Sequence, residues 1–124
     1  MDVTPKLEPD HQLIEAYGNG GFKVAGQRYE GSVMVFSHHT TAWSLADWQS
    51  AQAADFEVIF QQDPMPEIVV IGCGAHFQML PNSIKQIFRH YAIPVDAMDT
   101  GAACRTYNVL LAEGRRVAAA LIAV

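Results

Sequence analysis

The stretch Glu67–Gly74, read E-I-V-V-I-G-C-G, decides the fold. Two valines flanked by two isoleucines, Ile68 to Ile71, run without a polar residue straight into Gly72-Cys73-Gly74. A strand with one wet face would alternate apolar and polar side chains. An unbroken apolar run instead fits a strand covered on both faces, as parallel strands are. A glycine-bracketed exit at the carboxyl end of such a strand is where open α/β sheets place ligands.

Downstream of that strand the pattern repeats. A loop over 73–80 leads to Pro81, expected at a first helical position. Ile84, Ile87, Phe88 and Tyr91 then recur at helical spacing. Pro94–Met98 reads as a second parallel strand, and Asp99 stands where a helix N-cap belongs. Ala103, Tyr107, Leu110 and Leu111 mark the next helix, which Gly114 terminates. Arg115 and Arg116 precede V-A-A-A-L-I-A-V, a final strand of small residues suited to a crowded sheet centre. The order β-α-β-α-β implies right-handed crossovers and a parallel core.

Upstream, the turns are too short for crossovers. Residues 1–10 read as an irregular lead-in containing Pro5 and Pro9. Strands are expected at 12–17, 22–25 and 28–36, separated by the turns Gly18-Asn19-Gly20-Gly21 and Gly26-Gln27. Neighbours joined this tightly are antiparallel, so the first third reads as a β-meander that extends or caps the parallel sheet. A further short strand is expected at Thr41–Ser44. From Asp47 the period becomes helical through Trp48, Gln52, Phe56, Ile59 and Phe60, until Asp63-Pro64-Met65-Pro66 stops it. The fold class is therefore α/β: one three-layer α/β/α-like domain over residues 1–124. Its mixed sheet joins an N-terminal antiparallel meander to a C-terminal parallel β-α-β-α-β unit.

Composition narrows the function classes. Half of the 124 residues are hydrophobic and 17% are charged, below the usual ~25%, so the chain carries a core. No apolar run approaches the ~20 residues of a membrane-spanning helix. The N-terminal residues have neither the apolar segment of a secretory signal nor the arginines of a transit peptide. Two cysteines, Cys73 and Cys104, make no disulfide framework, and the expected setting is cytoplasmic. The net charge of −5 disfavours nucleic acid as a partner. Five basic residues (Lys85, Arg89, Arg105, Arg115 and Arg116) against three acidic ones in 82–124 leave a basic end suited to an acidic partner, or to plain solvation.

Four chemistries bear on the polar residues. Gly72-Cys73-Gly74-Ala75-His76-Phe77 has the first half of a dinucleotide fingerprint, but Phe77 occupies the position where the pattern needs a small residue, so no cofactor is assigned. Cys73 with His76 as base would make a thiol nucleophile; the alternative is an inert packing cysteine. His11, His38, His39, His76 and His90 show no ligand spacing, and no metal is assigned. Asp99-Thr100-Gly101 opens a helix at the same sheet edge as Gly72–Gly74, where exposed amides favour an anion; the alternative is an ordinary cap. Thr106 and Asn108 add polar groups on that helix.

These segments also carry a resemblance. Y-G-N-G-G-F at Tyr17–Phe22, Y-E-G-S-V at Tyr29–Val33, V-I-G-C-G at Val70–Gly74 and T-G-A-A-C-R-T-Y-N-V-L-L-A-E-G-R-R-V at Thr100–Val117 resemble one small-domain family. It comprises uncharacterised bacterial and archaeal proteins and includes the mitochondrial assembly factor 3 of complex I, NADH:ubiquinone oxidoreductase. The resemblance spans residues 10–124 and implies a three-layer α/β/α-like domain with no established enzymatic activity. The expected role is a non-enzymatic binding or assembly-type protein whose partners are respiratory-complex subunits or assembly proteins. Its groove would be formed by Gly72, Cys73, Gly74, His76, Asp99, Thr100, Gly101, Arg105, Thr106 and Asn108. The rival reading is a small-molecule enzyme or redox or ligand sensor using the same groove. A homodimer through a strand edge is a third possibility. Cys73 departs from the threonine frequent between the two glycines in the family, which speaks against a family-wide catalytic cysteine.

Overall fold

The computed structural model describes residues 8–124. Most of the expected lead-in, Pro5 included, lies outside the described residues. The elements are β1 (Ile14–Gly18), β2 (Gly21–Val24), β3 (Gln27–Glu30), β4 (Val33–Val35), β5 (Thr40–Ala42), α1 (Glu57–Phe60), β6 (Ile68–Gly72), α2 (Asn82–His90), β7 (Val95–Met98), α3 (Thr100–Ala112) and β8 (Val117–Leu121). Strands β1-β2-β3 form an antiparallel sheet of their own, and five others form a mixed sheet ordered β5-β4-β8-β6-β7. Strand β6 pairs in parallel with β8 on one side and β7 on the other, with Val70 opposite Ala119 and Val69 opposite Val95. The apolar run thus lies inside the sheet, and Val69, Val70 and Ile71 are buried.

The alternation of side chains along the mixed sheet sorts the core into two layers. On one face Met34, Phe36, Val69, Ile71, Ala118 and Ala120 pack under Trp43, Trp48, Phe56, Ile84 and Phe88. On the other face Val33, Val35, Val70, Ala119 and Leu121 pack under α3 and the three-stranded sheet, through Ala103, Tyr107, Leu111, Phe22 and Val24. Three layers with a mixed central sheet match the α/β expectation.

Two elements differ from the sequence reading. The expected third strand over 28–36 is split between the two sheets. Gly31 turns the chain with φ +82°, in the left-handed region open to glycine. Beyond it the buried Ser32 accepts a hydrogen bond from the Ala123 N–H at 3.1 Å, which docks β4 beside the C-terminus. The expected helix from Asp47 is also broken. Asp47 does cap a turn, accepting from Gln49 N–H at 3.1 Å, but that turn is a 3-10 turn ending at Ser50. Ala51 and Gln52 are extended, and a second 3-10 turn over Ala53–Phe56 precedes the single α-turn of α1. The two indoles pack against this segment. Trp43 and Trp48 both pack edge-on to Phe56, while their N–H groups reach the carbonyls of Asp55 (2.9 Å) and Met79 (3.3 Å). Smaller shifts occur at Pro81, which is an N-cap rather than a first helical residue, and at β5.

Candidate functional site

The carboxyl ends of β6 and β7 lie side by side, which brings the glycine corner and the α3 entrance together. The Thr100 N–H donates to Gly74 O at 2.8 Å. The Thr100 hydroxyl accepts from Gly74 N–H at 3.0 Å and donates its proton to Ile122 O at 2.8 Å. Ile122 N–H donates in turn to Gly72 O (3.0 Å), and Cys73 N–H to Met98 O (2.9 Å). Thr100 is fully buried. A Cβ placed on Gly72 would stand 2.9 Å from Thr100 Cα, nearer than van der Waals contact allows. The junction is closed, and its one hydroxyl proton is already donated within the protein.

The remaining α3 residues knit the two sheets together. Asp99 accepts from Ala102 N–H at 2.9 Å, an ordinary N-cap. Gly101 leaves room for Tyr17, since a Cβ there would stand 2.6 Å from the Tyr17 hydroxyl oxygen. Arg105 donates to that same oxygen at 3.1 Å. The Thr106 hydroxyl reaches Met98 Sδ at 3.4 Å. Asn108 behaves like a strand neighbour: its Oδ1 accepts from Ile14 N–H (2.9 Å) and its Nδ2 donates to Ile14 O (2.8 Å). The buried Tyr107 hydroxyl donates at 3.1 Å to the carbonyl of Phe36, the residue that follows β4. Arg105 and Asn108 also line a cavity of about 370 Å³ with Tyr17 and Cys104.

Neither cysteine is in an activating environment. Cys73 is buried, its thiol donates to Gln78 O at 3.6 Å, and burial pushes its pKa up. Burial pushes the Cys104 thiol up to about 12. Both stay protonated at neutral pH, whereas a thiol nucleophile needs the opposite shift. His76 lies on the exposed part of the following loop.

The loop continues past His76 to Leu80. The backbone of 78–79 is anchored, Gln78 O by the Cys73 thiol and Met79 O by the Trp48 indole. The side chains of Phe77 and Met79 face outward, 61% and 74% exposed.

A second group of polar residues escaped the sequence reading. A cavity of about 540 Å³ is lined by Glu8, His11, His38, His39, Arg115 and Arg116 among others. His38 Nδ1 lies 3.0 Å from Asp10 Oδ1, and the hydrogen bond between them holds the Asp10 carboxyl below its usual range. His11 and His38 come from distant segments, so a search by ligand spacing cannot find them. Only the adjacent pair His38-His39 was visible in the sequence.

A family model described as a protein of unknown function (DUF498/DUF598) matches residues 14–122. The human protein named NADH dehydrogenase [ubiquinone] 1 alpha subcomplex assembly factor 3 is 34% identical over 109 residues, 88% of this chain and 59% of its own length. The chain thus spans about three-fifths of that relative. Among solved structures, the crystal structure of an outer membrane protein from Bartonella henselae superposes with a TM-score of 0.86 at 35% identity, covering 94% of this chain and 98% of that one. A Bordetella pertussis protein described as a Mth938-like domain shares the fold, with a TM-score of 0.82 at 23% identity over 98% of this chain and 92% of that one. No helix among the described residues is long and apolar enough to cross a membrane. The chain belongs to the DUF498/DUF598 family of proteins of unknown function.

Proposed function

We propose that the chain is a non-enzymatic binding protein of the assembly type, and that its partners are respiratory-complex subunits or the proteins that assemble them. The observation that carries this reading is the loop after β6. Its backbone is fixed at Gln78 and Met79, yet it presents Phe77 and Met79 to solvent. A segment whose backbone is tied at two points loses less conformational freedom when it docks than an untied one. Aromatic residues and methionine are enriched at the centres of protein interfaces. In this proposal the partner meets Phe77, Met79 and His76, while Gly72, Cys73 and Gly74 with Asp99, Thr100 and Gly101 hold the loop's base in shape. Arg105, Thr106 and Asn108 lie along the same helix, with the exposed Arg105 available to an acidic partner.

The name of the human relative supports the assembly reading. The protonated state of both thiols speaks against the nucleophile reading. Two free buried cysteines are compatible with a reducing, cytoplasmic setting. The test is affinity capture from a native extract of the source cells followed by mass spectrometry. Respiratory-complex subunits or assembly proteins should be enriched over an unrelated bait of similar charge. Their absence under gentle, cross-linked conditions would overturn the assembly reading.

A further inference from the structure

We propose that Glu8, His11 and His38 form a binding site for one divalent transition-metal ion such as Zn²⁺, in the wall of the larger cavity. The three side chains reach one point from two segments. Glu8 Oε2 lies 4.0 Å from His11 Nε2 and 3.9 Å from His38 Nε2. One ligand atom from each residue falls within 4.8 Å of the others. Around a tetrahedral zinc ion with bonds near 2.0–2.2 Å, ligand atoms stand about 3.4 Å apart, so Glu8 closes by roughly 0.5 Å on each imidazole and the two imidazoles by at most about 1.4 Å on each other to seat the ion. The exposed Glu8 and His38 side chains can supply that movement.

The orientation of His38 is already that of a ligand. Its Nδ1–H is donated to Asp10 Oδ1 at 3.0 Å, which leaves the Nε2 lone pair facing Glu8. A carboxylate behind the distal nitrogen is the usual support of a metal-bound imidazole. His11 has one bond to exchange. Glu8 N–H donates to its Nδ1 at 3.0 Å, so the proton of the neutral ring sits on Nε2. Binding through Nε2 moves that proton to Nδ1 and gives up the bond to Glu8 N–H. Two imidazoles and one carboxylate suit zinc, copper or nickel over calcium or magnesium.

The site would fasten the chain at 8–11 to the β4–β5 turn. That junction is already held by Gln12 N–H donating to Ser37 O (3.0 Å) and by the Thr40 hydroxyl donating to Gln12 Oε1 (2.8 Å). All three ligands line the same cavity as Arg115 and Arg116, so a fourth ligand could enter from that side.

The experiment is calorimetric titration of tag-free protein with Zn²⁺, with Co²⁺ absorption reporting the coordination geometry. One ion per chain should bind, with a tetrahedral cobalt spectrum. His11→Asn and His38→Asn should each weaken binding by at least about tenfold, and Asp10→Asn by about 10–100-fold as expected for a residue supporting a ligand. His90→Asn, remote in sequence from the cluster, should bind as the parent does. Circular dichroism of each variant checks the fold, and the exposed His38 keeps at least one variant informative. Absence of saturable binding would overturn the proposal, as would binding that His11→Asn and His38→Asn leave unchanged.

Discussion

Gly72 and Thr100 are in such close contact that a side chain on the first would have to displace the backbone of the second. The Cβ of an alanine at 72 would lie 2.9 Å from both Thr100 Cα and Thr100 Oγ1. The opposing element is the first turn of α3 rather than a flexible side-chain tip, so the helix cannot give way cheaply. Gly72→Ala should cost about 1–3 kcal/mol, the usual range for overfilling a packed interior. Urea unfolding of the parent and the variant measures it.

The Thr100 hydroxyl bonds to both Gly74 N–H and Ile122 O in a fully buried place. Thr100→Val keeps the shape and strands both groups. Each buried polar group left unpaired costs about 1–3 kcal/mol. Thr100→Ser should recover most of the loss. Equal stability of the valine and serine variants would show that the hydroxyl bonds contribute nothing.

Asn108 holds the three-stranded sheet to α3 through both backbone groups of Ile14. Asn108→Leu should loosen that sheet at a cost of about 1–3 kcal/mol, and the effect should be local. Hydrogen exchange should speed up at β1 and leave the β6 amides protected. Uniform loss of protection across both sheets would contradict the role given to Asn108.

These residues also show how far the sequence could be read. The β6 run was legible because burial on both faces leaves no polar residue in the pattern. The α3 entrance was legible because Asp99 is chemically a cap, and it caps Ala102. The roles of Asn108 and Gly101 were not. Both depend on a meeting with β1, at Ile14 and Tyr17, and nothing local in α3 encodes it. The broken helix after Asp47 was hidden for the same reason: helical periodicity records which residues are apolar, and says nothing of tertiary contacts such as those of the Trp48 indole with Phe56 and Met79 O. The division of the meander turned on the Gly31 turn and on the meeting of Ser32 with Ala123, distant in sequence.

Burial of Cys104 sets a pH dependence. Its thiol is pushed from an ordinary 9.0 up to about 12, and burial pushes the Tyr107 phenol up as well. The unfolded chain releases the thiol proton near pH 9 while the folded chain keeps it. The stability contribution is therefore complete below pH 9 and declines as pH rises from 9 towards 12. Urea midpoints should fall between pH 8.5 and 10.5, and fall less in Cys104→Ala. An aromatic disulfide reagent should leave both thiols unmodified at pH 7.5 until denaturant is added.

The central claim is that the loop after β6 is the partner-facing surface, and Phe77→Ser with Met79→Ser tests it most directly. Both side chains are largely exposed, so the double variant should melt close to the parent. In parallel captures quantified by mass spectrometry, the parent should retain the proposed respiratory-complex partners and the double variant should lose them. Equal retention by a stable double variant would contradict the claim and place the binding surface elsewhere on the molecule.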